Sequence, residues 1–109
     1  MNDSALNLLG LCRKAGKLSP GHDACKASLN QGRASLCLIC SDASQRLNEE
    51  ITALAEKAGV RIFDVDYLMM DIKAAISFKA AVLTIDDEGF AKSLIKKINE
   101  NESGKERGL

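Results

Sequence analysis

KLSPGHDACKASLNQGRASLCLICSDAS, residues 17–44, joins a Ser-Pro signal, a short helical pattern, an apolar run and an acidic exit. Its centre, Leu36-Cys37-Leu38-Ile39-Cys40, is apolar without alternation, as a strand buried on both faces would be. Upstream, Ser19 followed by Pro20 reads as a helix N-cap with proline at the first helical position, predicting a helix from Pro20 to Gln31 that stops at Gly32. Gly21, His22 and Asp23 then form the first turn. Free backbone N–H groups and the positive end of the helix dipole make such a turn a site for a phosphate or an electron-rich base edge, and Lys17, His22 and Lys26 stand beside it. Downstream, the strand exits through Ser41, Asp42, Ala43 and Ser44. Open α/β sheets place ligands at such carboxyl ends.

Working outward, Asn2, Asp3 and Ser4 offer N-caps to a first helix whose apolar positions are Ala5, Leu8, Leu9, Cys12 and Ala15, ended by Gly16. Its basic exit, Arg13, Lys14 and Lys17, suits a helix C-terminus. Beyond the central strand, Asp42 with Gln45 reads as a capping box for a third helix striped by Leu47, Ile51, Leu54, Ala55 and Ala58. Residues 60–65 alternate as a strand, and Asp66 is the expected cap of a fourth helix through Leu68, Met69, Ile72, Ala75 and Ile76. Residues 80–85 read as a further strand, and Asp86 or Asp87 caps a last helix striped by Phe90, Leu94, Ile95 and Ile98. Residues 99–109 have charge and glycine without period, the pattern of a disordered polar tail.

Alternation of helix and strand predicts an α/β chain: a three-layer α-β-α sandwich on a small mixed, mostly parallel sheet of about four strands, with an edge piece near residues 17–19. One domain over residues 1–98 is expected, since 109 residues suffice for one core without metal or disulfide support. Lys plus Arg and Asp plus Glu are both 15, so no global field attracts nucleic acid. The distribution is uneven, with a net +3 over residues 1–35, −4 over 36–71 and +1 thereafter. No apolar run is long enough for a membrane span and no signal sequence is apparent, so a cytoplasmic chain is expected.

Cys37 and Cys40 match C-x-x-C, but period-2 alternation sends their sulfurs to opposite faces, and Cys12 and Cys25 lack the spacing of a second zinc pair. Packing, reduced thiols and no metal are the reading. His22 has no nucleophile near it in sequence, the paired acids at residues 49–50 and 86–87 sit at helix starts, and no phosphate-loop or dinucleotide fingerprint occurs. The residues point to no enzyme and no cofactor.

LLGLCRKAGKLSPG (residues 8–21), GRASLCLICSDAS (32–44) and DDEGFAKSL (86–94) together resemble the bacterial YlxQ-type members of the ribosomal protein L-seven-Ae / L-thirty-e superfamily, over residues 6–98. The resemblance implies an α-β-α sandwich, no catalysis, and binding to kink-turn RNA, a bent duplex with tandem G·A pairs beside an internal loop. It also implies that the start of the second helix reads guanine edges while the loop after the central strand packs on the extruded base. On that alignment Asp23, Ala24 and Ala27 stand where the family has Asn, Glu and Lys. Ser41-Asp42-Ala43 replaces an acidic-acidic-hydrophobic loop, and Ile72-Lys73-Ala74-Ala75-Ile76-Ser77 lacks both glycines of Leu-Gly-x-x-Ile-Gly. The expected RNA-binding residues are Lys17, Gly21, His22, Asp23, Lys26, Arg33, Ser41, Asp42, Ala43, Ser44, Arg46, Lys73 and Lys79, the cations meeting phosphates. Structured RNA, ribosomal RNA included, is the expected partner of a monomer that touches no membrane and could associate with the ribosome. The alternative is a protein interaction module on the same fold that has given up kink-turn readout.

Overall fold

The computed structural model describes residues 3–108. Within them run α1 (Ser4–Lys14), β1 (Leu18–Pro20), α2 (His22–Asn30), β2 (Leu36–Cys40), α3 (Gln45–Ala58), β3 (Arg61–Val65), α4 (Met69–Ile76), β4 (Val82–Ile85), α5 (Glu88–Asn101) and β5 (Gly104–Glu106). The strands make one sheet in the order β1-β4-β2-β3-β5. The central strand β2 is bonded on one side to β3 and on the other to β4, with Leu38 opposite Phe63 and Leu83.

Alternation along β2 builds two cores. Leu36, Leu38 and Cys40 face α1, α4 and α5 with Phe63, Val65, Leu83 and Ile85, whereas Cys37 and Ile39 face α2 and α3 with Cys25, Leu29, Ile51 and Ala55. All five β2 side chains are at most 3% exposed, and each fully buried Leu or Ile contributes about 1.5–3 kcal/mol. The three-layer sandwich is thus the observed architecture.

The sheet itself corrects the expectation of mostly parallel pairing. Only β2 with β3 is parallel; β1 with β4, β2 with β4 and β3 with β5 are antiparallel. The reason lies in α4, whose two ends are held at the same rim. Met69 N donates to Asp42 at 3.0 Å, and after the helix Val82 O and Ala81 O accept from Gly21 N and Cys40 N. The chain therefore does not cross the sheet before β4 begins, and β4 runs back against β2.

Several predicted caps also move. Pro20 belongs to β1 rather than α2, on a sheet edge where proline's missing N–H is tolerated, and Ser19 spends its hydroxyl on Asp86. Gly21 becomes the cap of α2 at φ +92°, a conformation that favours glycine. Ser44, not Asp42, caps α3 by accepting from Leu47 N, which frees Asp42 for α4. Asp71 rather than Asp66 tends the start of α4, accepting from Leu68 N; of the two caps expected for α5, Asp87 is the one that serves, accepting from Phe90 N. Asp3 caps α1; the alternative cap Asn2 lies outside the described residues.

The expected disordered tail is corrected over the described residues: α5 continues to Asn101, and β5 pairs with β3. Gly104 is required there, because a Cβ would lie 2.9 Å from Asp64 O. Beyond it the Arg107 guanidinium donates to Asp64, Thr52 and Asn48, and Arg61 grips Glu106 at 2.6 and 2.7 Å. Leu109 lies outside the described residues.

Asp86 occupies the far rim of the sheet with its side chain 8% exposed. The buried serine and threonine side chains among the described residues are Ser19, Ser28 and Thr84, and all three donate to this one carboxylate. One polar knot thereby joins β1, α2 and β4. The four cysteines are free and buried, with Cys37 and Cys40 in opposite cores. Burial pushes the Cys12, Cys37 and Cys40 thiols up to about 12, with nearby carboxylates adding for Cys12 and Cys40, and pushes Cys25 up as well.

Two outcomes follow from these groups. Asp86→Ala, which strands three buried hydroxyls, is expected to lower stability by about 2–4 kcal/mol in urea titration; a loss below about 0.5 kcal/mol would contradict the knot. At pH 8 a thiol reagent should label the native protein far more slowly than the unfolded chain. Because folding holds the thiols neutral, their contribution to stability is present below the ordinary thiol pKa of 9.0 and falls as pH rises from there toward about 12. Rapid labelling of the folded chain at a Cys37–Cys40 pair would contradict this.

Candidate functional site

One rim of the sheet gathers the carboxyl ends of β1, β2 and β3 and the amino end of β4. Among the connections that meet there are the β1–α2 junction at Gly21, the β2–α3 loop at residues 41–44, the β3–α4 loop at 66–68 and the α4–β4 loop at 77–81. Backbone bonds stitch them together. Gly21 N donates to Val82 O at 2.9 Å, Cys40 N to Ala81 O at 2.8 Å, and Ser41 N to Tyr67 O at 3.0 Å, with Ser41 Oγ adding a second bond to Tyr67 O. Asp42 is bound at the start of α4. A rim tied by buried strand pairing holds its loops in fixed relation, which is what recognition of a rigid polyanion needs.

Gly21, His22 and Asp23 open α2 at this rim, and Ser41, Asp42, Ala43 and Ser44 form the adjoining wall. Lys26 stands one turn along α2 from His22. His22 Nε2 lies 2.7 Å from Glu50 Oε2 on α3, and its Nδ1 lies 3.6 Å from the fully exposed Asp23 carboxylate. Arg46, one turn before Glu50, completes a cluster around an open hollow of about 240 Å³ lined by His22, Ser44, Arg46, Leu47 and Glu50. The hydrogen bond from His22 holds the Glu50 carboxyl below the usual range, and the His22, Lys26 and Arg46 charges act in the same direction. Lys79 is exposed in the α4–β4 loop, and Lys73 is exposed on the second turn of α4.

Lys17 and Arg33 are not brought to this rim. Lys17 precedes β1, its carbonyl accepting from Asp86 N at 2.8 Å, and Arg33 Nη1 lies 3.5 Å from Asp86 Oδ2. Both therefore belong to the opposite rim, so the expected RNA-binding set, which joined Lys17 and Arg33 to Gly21 and Asp42, divides in two. The physical cause is β1: an extended Leu18–Pro20 separates Lys17 from Gly21 by the depth of the sheet.

Three residues outside the expected RNA-binding set join the site. Phe78 is 43% exposed in the α4–β4 loop, and a Cβ at Gly21 would meet its ring at 3.5 Å. The Arg13 guanidinium stands over that ring, 5.6 Å from its centroid, which brings the end of α1 to the same surface. Glu50 enters from α3. The available signal for Phe78 was its position outside every helical or strand stripe and for Arg13 its place in the basic exit of the first helix, beside residues 17–44; for Glu50 the sequence held none, since only the α2–α3 packing brings it in.

Among the described residues, no group of three or more His, Cys, Asp or Glu is placed to hold a metal ion. No described helix is long and apolar enough to cross a membrane.

Comparison with known proteins bears on what this rim does. The model of the ribosomal protein L7Ae/L30e/S12e/Gadd45 family matches residues 3–95. The RNA-binding protein YlxQ of Enterococcus faecium is 30% identical over 88 residues, 81% of this chain and 84% of that one. A protein of unknown function from Bacillus halodurans superposes with a TM-score of 0.81 at 22% identity, covering 90% of this chain and 99% of that one. A 15.5 kD RNA-binding protein of Giardia lamblia gives 0.68 at 18% identity, covering 94% and 91%. These two structural likenesses show the shared fold.

Proposed function

Because this chain belongs to the ribosomal protein L7Ae/L30e/S12e/Gadd45 family, we propose that it is a non-catalytic RNA-binding protein that grips a kink-turn with the rim described above. What carries the reading is the junction of the α2 start with the β2–α3 and α4–β4 loops, walls of one surface tied by buried backbone bonds. RNA-binding relatives on the same fold add to it. Lys26, Arg46, Lys79 and Lys73 meet phosphates, with Arg13 and Phe78 at the border, while Lys17 and Arg33 are left out of the contact. Asp23, in place of the family's Asn, accepts from guanine N1–H or N2–H, and Ala24 and Ala27 remove two polar readers. Readout therefore leans on shape, phosphate and Asp23 rather than on the family's full set. On this reading the protein acts in the cytoplasm as a monomer, with ribosomal RNA or the ribosome among its targets.

A protein interaction module is the second reading, favoured by Leu11, Leu68 and Met70, apolar side chains 49–57% exposed on α1 and around the start of α4. It predicts a specific protein partner retained after nuclease treatment.

Titration of a kink-turn hairpin and a straight duplex at moderate salt separates the two. The proposal expects clear preference for the kink-turn; equal, weak binding to both contradicts it. Lys26→Ala should weaken binding several-fold and reduce the salt slope by about one, whereas Lys17→Ala, on the other rim, should leave both within experimental error.

A further inference from the structure

Glu50 is out of character for the surface it occupies. Its carboxylate lies 2.7 Å from His22 Nε2 and lines the same hollow as Arg46, one of the cations assigned above to phosphate, while Lys26, another, stands one turn along α2 from His22. The bridge is not what keeps α2 against α3, because Cys25, Leu29, Ile51 and Ala55 already pack there in a closed core. Half-exposed ion pairs add little to stability. A carboxylate hydrogen-bonded to the His22 ring and sharing with Arg46 the lining of a hollow of about 240 Å³ has the charge and the hydrogen-bond demand of a backbone phosphate.

We propose that Glu50 is a built-in competitor for phosphate: its carboxylate and an RNA phosphate take the same place beside His22 and Arg46, so the side chain must swing out before RNA seats in the α2–α3 groove. Glu50 has the freedom to do so, with its side chain 38% exposed and the His22 bond as its hydrogen bond to another side chain. Asp23 is the second carboxylate on His22, but it stands fully exposed at 3.6 Å and does not enter the hollow's lining. Glu50 thereby sets the threshold of the interface, holding back weak polyanions and admitting an RNA whose other contacts outweigh the exchange. The inference rests on the RNA-binding reading for its setting, and on the charge cluster for its mechanism.

The test compares wild type with Glu50→Gln and with Glu49→Gln, a neighbour that makes the same change in net charge. Each is titrated with the kink-turn hairpin and with the straight duplex at several salt concentrations. E50Q is expected to bind both RNAs about three- to tenfold more tightly, with a salt slope steeper by about 0.7–1, while E49Q changes affinity less than twofold. A gain in E50Q no larger than in E49Q, or weaker binding by E50Q, overturns the proposal. Because the contested group is a phosphate, the gain reads on the straight duplex even when kink-turn preference is absent, so the two readings fail separately. Inorganic phosphate titrated into isotopically labelled protein supplies a readout free of RNA: the His22 and Arg46 signals should half-shift at a concentration at least threefold lower in E50Q. Identical titrations of wild type and E50Q count against the competitor.

Discussion

Hydrogen bonding on both edges and apolar cover on both faces leave Leu36–Cys40 no freedom of register or direction. A one-residue slip of this strand would exchange the contents of the two cores, sending Cys37 and Ile39 toward α1 and α5 and Leu38 toward α3. Because β3 runs with it and β4 against it, the end of β2 is forced beside the end of β3 and the start of β4. The gathering of loops at one rim is therefore a consequence of strand direction, and the surface assigned to RNA exists because this strand is buried.

Polar side chains around the sheet divide into those consumed by the fold and those left to a partner. Asp86 absorbs three buried hydroxyls and faces Arg33, Asp42 is taken by the α4 backbone, and Asp64 is held by Arg107. Lys26, Arg46, Lys73 and Lys79 make no ion pair within 4.0 Å among the described residues, and Asp23 has only the His22 ring at 3.6 Å. The cations of this rim thus stand free, while on the opposite rim Arg33 is committed to Asp86.

Much of the fold was legible in the chain, because uninterrupted apolarity at Leu36–Cys40 and helical stripes such as Leu47, Ile51, Leu54 and Ala55 encode burial directly. Direction was not legible. Nothing in the α4 segment announces that both its ends are held at one rim, so a parallel majority was the natural expectation. Caps misled where tertiary bonds outbid local ones: Ser19 precedes a proline in the usual capping order yet points at Asp86, and Asp42 serves a helix 27 residues away. The tail misled through composition, since a three-residue strand stitched by Arg61, Glu106, Arg107 and Asp64 uses charges that read locally as disorder. At the site, the structure brings Gly21–Asp23 and Ser41–Ser44 to one rim, whereas Lys17 and Arg33 lie at the other, because the edge piece read near residues 17–19 is a strand that runs on through Pro20 and spans the depth of the sheet.

Amide chemical-shift mapping during titration with a kink-turn hairpin tests the central claim most directly, since it reports every backbone position at once. Shifts concentrated at Gly21 to Lys26, Ser41 to Arg46 and Ser77 to Ala81, with Lys17, Arg33 and Asp86 unmoved, are the result predicted for a single rim built on the end of β2. Shifts centred on Lys17, Arg33 and Asp86, or spread evenly over the charged surface, would contradict it.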